Sequence, residues 1–111
     1  MAARSDADWR RWFDSVTPFV VEDGDGRPVG ICGGTRNPER RATAVLISMW
    51  VDPVARGTGA GDALIAAALA WAAGQACHRL ELTVLEANAA ARRLYERNGF
   101  RPTGRSVRAG A

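Results

Sequence analysis

The sequence contains no lysine; all fifteen of its basic residues are arginine. It is also poor in other reactive side chains, with one histidine, one tyrosine and two cysteines in 111 residues. Each scarcity excludes something. A Walker A phosphate loop ends in Gly-Lys-Ser/Thr and cannot be built without lysine. Cys32 and Cys77 stand far apart, which excludes a short-spaced zinc site and a disulfide framework and leaves two small apolar residues. His78 follows Cys77, but two adjacent groups fall short of the three or four ligands that zinc uses, so no metal is expected. No apolar run approaches the ~20 residues needed to span a bilayer. Met1 to Asp8 lacks the apolar stretch of a signal peptide. The expectation is a cytoplasmic protein without membrane contact.

What is present fits one domain over residues 1–111, with 47% hydrophobic and 24% charged residues. The net charge is +3. The arginines are scattered, as Arg10–Arg11, Arg40–Arg41 and Arg92–Arg93 with singles between, and form no basic and aromatic stripe of the kind nucleic acids need. No nucleic-acid partner is expected. A few well-placed arginines suffice to attract a small polyanion.

Along the chain, Asp8 can cap a short helix carrying Trp9, Trp12 and Phe13. Phe19–Glu22 and Pro28–Gly34 read as two strands joined by Asp23-Gly24-Asp25-Gly26, a hairpin turn signal. Thr43–Val51 is an almost continuous apolar run, which predicts a strand covered on both faces. A helix is expected from about Gly61 to Ala73, with Leu64, Ala68 and Trp71 toward the sheet and Gly74 at its end. Leu80–Leu85 reads as a further strand with Leu80, Leu82 and Val84 on one face. Asn88 can cap a helix over Ala89–Arg97, closed by Asn98-Gly99. Phe100–Thr103 can begin a last short strand, and Arg105–Ala111 is expected to fray. Trp50 and Trp71 are expected in the core.

The informative segment is Val51-Asp52-Pro53-Val54-Ala55-Arg56-Gly57-Thr58-Gly59-Ala60-Gly61, which joins a strand to a helix. The first amides of a helix lack partners within it and lie at the positive end of its dipole. Glycines at alternate positions let a ligand approach the backbone closely. Such a nest suits a pyrophosphate. A dinucleotide fingerprint starting at Gly59 would need a glycine where Leu64 stands. On the glycines alone, a plain tight turn remains open.

Arg56, Gly59 and Gly61 match the Arg/Gln-x-x-Gly-x-Gly/Ala signature, and about 30 residues later follow Leu82-x-Val84, Asn88, Ala91, Leu94-Tyr95 and Gly99-Phe100. In both segments, over roughly Phe19 to Gly104, the sequence resembles the GNAT family of acyl-CoA-dependent N-acetyltransferases. The resemblance implies an α/β fold, a curved mixed sheet whose central strands, here Val45–Val51 and Leu80–Leu85, splay apart. It implies acetyl-CoA as cosubstrate. The pantetheine arm would pair with the edge formed by Met49, Trp50 and Val51. The pyrophosphate would rest on Gly57, Thr58, Gly59, Ala60, Gly61 and Asp62, with Arg56 beside it and Asn88 touching the arm. Tyr95 would sit near the sulfur and protonate the departing thiolate after an amine attacks the thioester directly.

Against the family pattern, the opening strand and long helix before Phe19 and the long final strand are expected to be missing. The sheet edges so exposed suggest a homodimer. The general base stays unassigned, with Glu81, Glu22 and His78 as weak candidates. The implied function is transfer of an acetyl group from acetyl-CoA to a primary amine of a small-molecule or protein acceptor. The alternative is a degenerate acyl-CoA-binding module without a working acceptor site.

Overall fold

The structure is a computed structural model and describes residues 16–103. The Trp9–Phe13 helix and the fraying of Arg105–Ala111 fall outside the described residues. Strands β1 (Thr17–Glu22), β2 (Pro28–Arg36) and β3 (Thr43–Val51) are followed by a 3-10 turn (Pro53–Ala55) and helix α1 (Ala60–Gly74). Strand β4 (Arg79–Glu81) and helix α2 (Ala89–Arg97) complete the described elements. The sheet order is β1-β2-β3-β4; the first three strands are antiparallel and β4 runs parallel to β3. No helix among the described residues is long and apolar enough to cross a membrane.

The β1–β2 turn forms where the Asp-Gly pairs place it. The Asp23 carboxylate accepts the amides of Asp25 at 2.8 Å and Arg27 at 3.0 Å, and Gly26 takes the left-handed conformation at φ 79. The Arg27 and Asp25 amides hold the Asp23 carboxyl below its ordinary value.

Helix α1 lies across the sheet and buries Leu64, Ile65 and Ala68 against Cys32, Leu46 and Tyr95. Glycine at position 34 makes the approach possible, because a Cβ there would stand 2.7 Å from the Trp71 ring. Trp71 meets Phe19 edge-on, with ring centroids 6.0 Å apart. Trp71 is therefore half-buried at the sheet, near its expected place.

Trp50 is not in the core. Val20, Ile31 and Trp50 are successive cross-strand neighbours and are 52%, 43% and 49% exposed. Side chains alternate along a strand, so Ile31 points away from the helix-covered face that its neighbour Cys32 occupies. The expectation that β3 is covered on both faces therefore fails in its second half.

Two boundaries differ from the sequence reading. β4 ends at Glu81, and residues 82–85 continue without strand pairing, although Leu80, Leu82 and Val84 still pack on the core as their alternation predicts. α1 ends at Gly74, as expected, and the left-handed residue beyond it is Ala76 at φ 59. The amides of Ala76 and Cys77 return to the carbonyls of Ala73 and Ala72, a Schellman end placed by where helix packing stops. No strand forms over Phe100–Thr103. Instead Gly99, at φ 93, closes α2 in another Schellman motif: its amide donates to Glu96 and that of Phe100 to Tyr95. The apolar contact that accompanies this motif is Phe100 on Tyr95, edge-on with centroids 5.8 Å apart, which turns Phe100 inward instead of along the sheet.

Candidate functional site

The end of β3 passes directly into the glycine turn. Asp52 accepts the Val54 amide at 3.1 Å and Pro53 opens the 3-10 turn, so the chain reverses at once. Gly57 and Gly59 have φ 79 and φ 91, and no heavy atom of the described residues outside their immediate neighbours lies within 4 Å of where their Cβ atoms would be. Gly59 is the residue before α1 and has no side chain to cap it. The first amide returned to the backbone is that of Ala63, donated to Gly59 at 3.0 Å. The start of α1 therefore has no side-chain cap, and the Cβ positions of the two glycines before it are open, which suits an anion nest. The Thr58 hydroxyl turns back to the Ala55 carbonyl. The exposed Arg56 donates from Nε to the Val51 carbonyl at 3.3 Å.

Gly61 and Asp62 tie this turn to α2. A Cβ on Gly61 would come within 2.9 Å of the Leu94 side chain, so glycine sets the approach of α1 to α2. The Asp62 carboxylate accepts two hydrogen bonds from Arg97, 3.0 Å from Nε and 2.9 Å from the terminal nitrogen. It accepts a third from Asn98 at 2.8 Å. Arg97 and then Asn98 hold its pKa down at about 2.

A second feature opens where strands β3 and β4 part. Their pairing covers Thr43–Val45 opposite Arg79–Glu81 and stops. Beyond it lies a cleft of about 240 Å³ lined by residues 45–49 of β3, Leu82, Thr83 and Tyr95. At the same level the β2–β3 register slips between Ile31 and Gly33, and Ser48 takes φ 57. Bulges of this kind bend a strand and re-aim its groups next to functional sites. Tyr95 is 9% exposed and belongs to the core as well as to the cleft wall. Burial, and secondarily the neighbouring Cys32, raises its phenol above the ordinary tyrosine value. Burial also pushes the Cys32 thiol up to about 11, which leaves it a poor nucleophile.

The sequence-predicted residues thus fall into separate groups. Gly57 to Asp62 form the turn, and Met49 and Tyr95 line the cleft next to it. Val51 packs on the core, whereas the Trp50 ring is exposed. Asn88 caps α2 by accepting the Ala91 amide at 3.1 Å and does not line the cleft. None of the weak base candidates lines the cleft: Glu81 lies 3.5 Å from Arg79, Glu22 borders a separate cavity of about 460 Å³ beside Gly59, and His78 is exposed. Among the described residues no cluster of three metal-ligating side chains occurs. Sequence reasoning missed the Asp62–Arg97–Asn98 network, whose partners lie 35 and 36 positions apart and leave no local signal.

Comparison with known proteins gives the family and the fold. The model of the acetyltransferase (GNAT) family matches residues 2–100. An uncharacterized N-acetyltransferase of Methanocaldococcus jannaschii is 35% identical over 83% of the chain and 45% of its own length. A mycothiol acetyltransferase of Beutenbergia cavernae is 40% identical over 82% of the chain and 30% of its own length. The chain thus spans less than half the length of these curated relatives. Among solved structures, an aminoglycoside N-acetyltransferase in complex with CoA has a TM-score of 0.79 at 20% identity, covering 91% of this chain and 81% of that one. An acetyltransferase of Trypanosoma brucei has a TM-score of 0.71 at 29% identity, covering 92% and 72%.

Proposed function

Because the chain belongs to the GNAT acetyltransferase family, we propose that it is an enzyme that transfers an acetyl group from acetyl-CoA to a primary amine by direct attack. The observation that carries this reading is the junction of two features. An uncapped, glycine-lined helix start follows β3 directly, and the cleft containing Tyr95 opens along the same strand. The pyrophosphate sits on the amides of Gly57 to Asp62, with Arg56 beside it. The pantetheine arm runs back along Met49, Trp50 and Val51 by strand addition, with Asn88 next to it. The amine nitrogen attacks the thioester carbonyl, the C–S bond breaks, the thiolate takes a proton from the Tyr95 hydroxyl, and the surplus proton of the acylated nitrogen returns the phenolate to phenol. An ordinary thiol has a pKa of ~8.5, below a phenol. Burial raises the Tyr95 phenol further, so this transfer is uphill and is drawn to completion by the proton that the acylated nitrogen sheds.

The absence of Glu81, Glu22 and His78 from the cleft lining favours the second reading, an acyl-CoA-binding module without an acceptor base. Calorimetry with CoA and acetyl-CoA, followed by an amine panel with thiol release as readout, separates the two. Binding with turnover supports the enzyme, binding without turnover on any amine supports the module, and no binding removes both. β1 lies at one end of the strand order, and a two-fold dimer through that edge is part of the same proposal. Light scattering that gives a monomer at high concentration removes the dimer.

A further inference from the structure

We propose that Arg97, with Asn98, is a positioning residue that neutralises Asp62, so that the helix start meets phosphate as a set of amides instead of a free carboxylate. The inference rests on the reading that α1 receives the pyrophosphate. Asp62 is the third residue of α1. An acid in the first turn of a helix is ordinarily welcome, because it complements the positive end of the dipole. Where that end must receive an anion, the same carboxylate competes for the dipole and repels the ligand.

The structure removes the conflict by geometry. The Arg97 guanidinium grips both Asp62 oxygens, and the Asn98 amide nitrogen donates a third hydrogen bond. The grip is held from a rigid place. Asn98 also donates to the Leu94 carbonyl at 2.8 Å, Leu94 packs on Gly61, and the Schellman turn at Gly99 closes the helix behind it. The Asp62 and Arg97 side chains are 36% and 60% exposed. A bidentate fork of this kind can fasten two helices even at a surface, and its seat on the third residue of α1 gives it a second consequence, for an anion arriving at that helix start. The same fastening joins the phosphate turn to the helix that carries Tyr95.

The test is CoA binding by calorimetry with the wild type and the variants Arg97→Ala, Arg97→Gln, Asp62→Asn and Asp62→Asn/Arg97→Ala, each checked for folding by circular dichroism. Freeing the carboxylate should weaken CoA binding about tenfold in Arg97→Ala and Arg97→Gln. The loss should shrink in ~0.5 M salt. The double variant should recover to within about twofold of the wild type, and Asp62→Asn alone should bind CoA more tightly than the wild type. Two results overturn the inference while leaving CoA binding at this site intact. One is an unchanged affinity in Arg97→Ala. The other is a loss that Asp62→Asn does not rescue, which assigns Arg97 to direct ligand contact or to the fold. A wild type that does not bind CoA overturns this inference together with the reading it rests on.

Discussion

Thr43, Ala44 and Leu46, in the first half of β3, are buried, and this stretch is paired to β2 on one side and β4 on the other. Ser48 and Trp50, in the second half, are exposed, and the strand there is paired to β2 alone. The two halves are similarly apolar, as Thr-Ala-Val-Leu and Ser-Met-Trp-Val. What separates them is the bulge at Ser48 and the departure of β4 after Glu81. One half is structural core and the other is an open edge beside a cleft. An apolar run marks strand content, but whether its backbone groups and outer face are covered depends on a neighbour that can leave.

Tyr95 stands against the boundary between the halves, and its removal should have the largest effect. Tyr95→Phe keeps the ring that packs on Phe100 and loses only the hydroxyl. Turnover should fall about 10²–10⁴-fold with CoA affinity nearly intact, since loss of a general acid acts on the transition state. Full turnover in steady-state assays would remove Tyr95 from the mechanism. The halves themselves are separated by a pair of truncations. Leu46→Ala leaves a cavity in the buried half and should cost about 2–5 kcal/mol in denaturant unfolding. Trp50→Ala removes an exposed ring and should cost less than about 1 kcal/mol. Equal losses would mean that the second half is covered.

Gly59→Asp addresses the end of the open half. At φ 91 any side chain is strained, and an added carboxylate faces the incoming phosphate. CoA affinity should drop by about 2 kcal/mol or more by calorimetry. A folded variant with wild-type affinity would remove the nest.

The smallest effect is a titration shift. Tyr95 is the one tyrosine in the sequence, so phenolate absorbance reports it alone. Burial raises its folded pKa above the ordinary phenol value, and that of Cys32 rises from 9.0 to about 11. In both cases the folded state holds its proton after the unfolded chain has released it. Their contribution to stability is therefore full below pH 9 and lost as pH climbs through 9 to 11 and beyond. A phenolate transition at or below 10 would mean that Tyr95 is hydrated, not enclosed.

Much of the chain was legible in advance because its signals are local. The Asp-Gly turn, the limits of β3, the Asn88 cap and the start and end of α2 each depend on side-chain and backbone chemistry within a few residues. The glycine turn was legible for the same reason: left-handed positions at Gly57 and Gly59 are a cost that glycine alone avoids. The reading of the first segment after Leu80 as a full strand failed because pairing is a contact between distant stretches. Alternation told which face Leu82 and Val84 would bury, and gave no information on whether β3 would still be beside them.

The sequence by itself thus determined the order and kind of the elements from β1 to α2, the turn between β1 and β2, the glycine turn after β3, and the family to which those patterns point. Only the tertiary structure decided how far β4 follows β3, that Trp50 faces outward, that Phe100 turns in on Tyr95, and that Asp62 is held by Arg97 and Asn98. The physical reason is range. Capping, turn and helix preferences act over a few residues, whereas strand pairing and the Asp62–Arg97 fork join groups some 35 residues apart in sequence, and their geometry exists only once α1 has packed across the sheet.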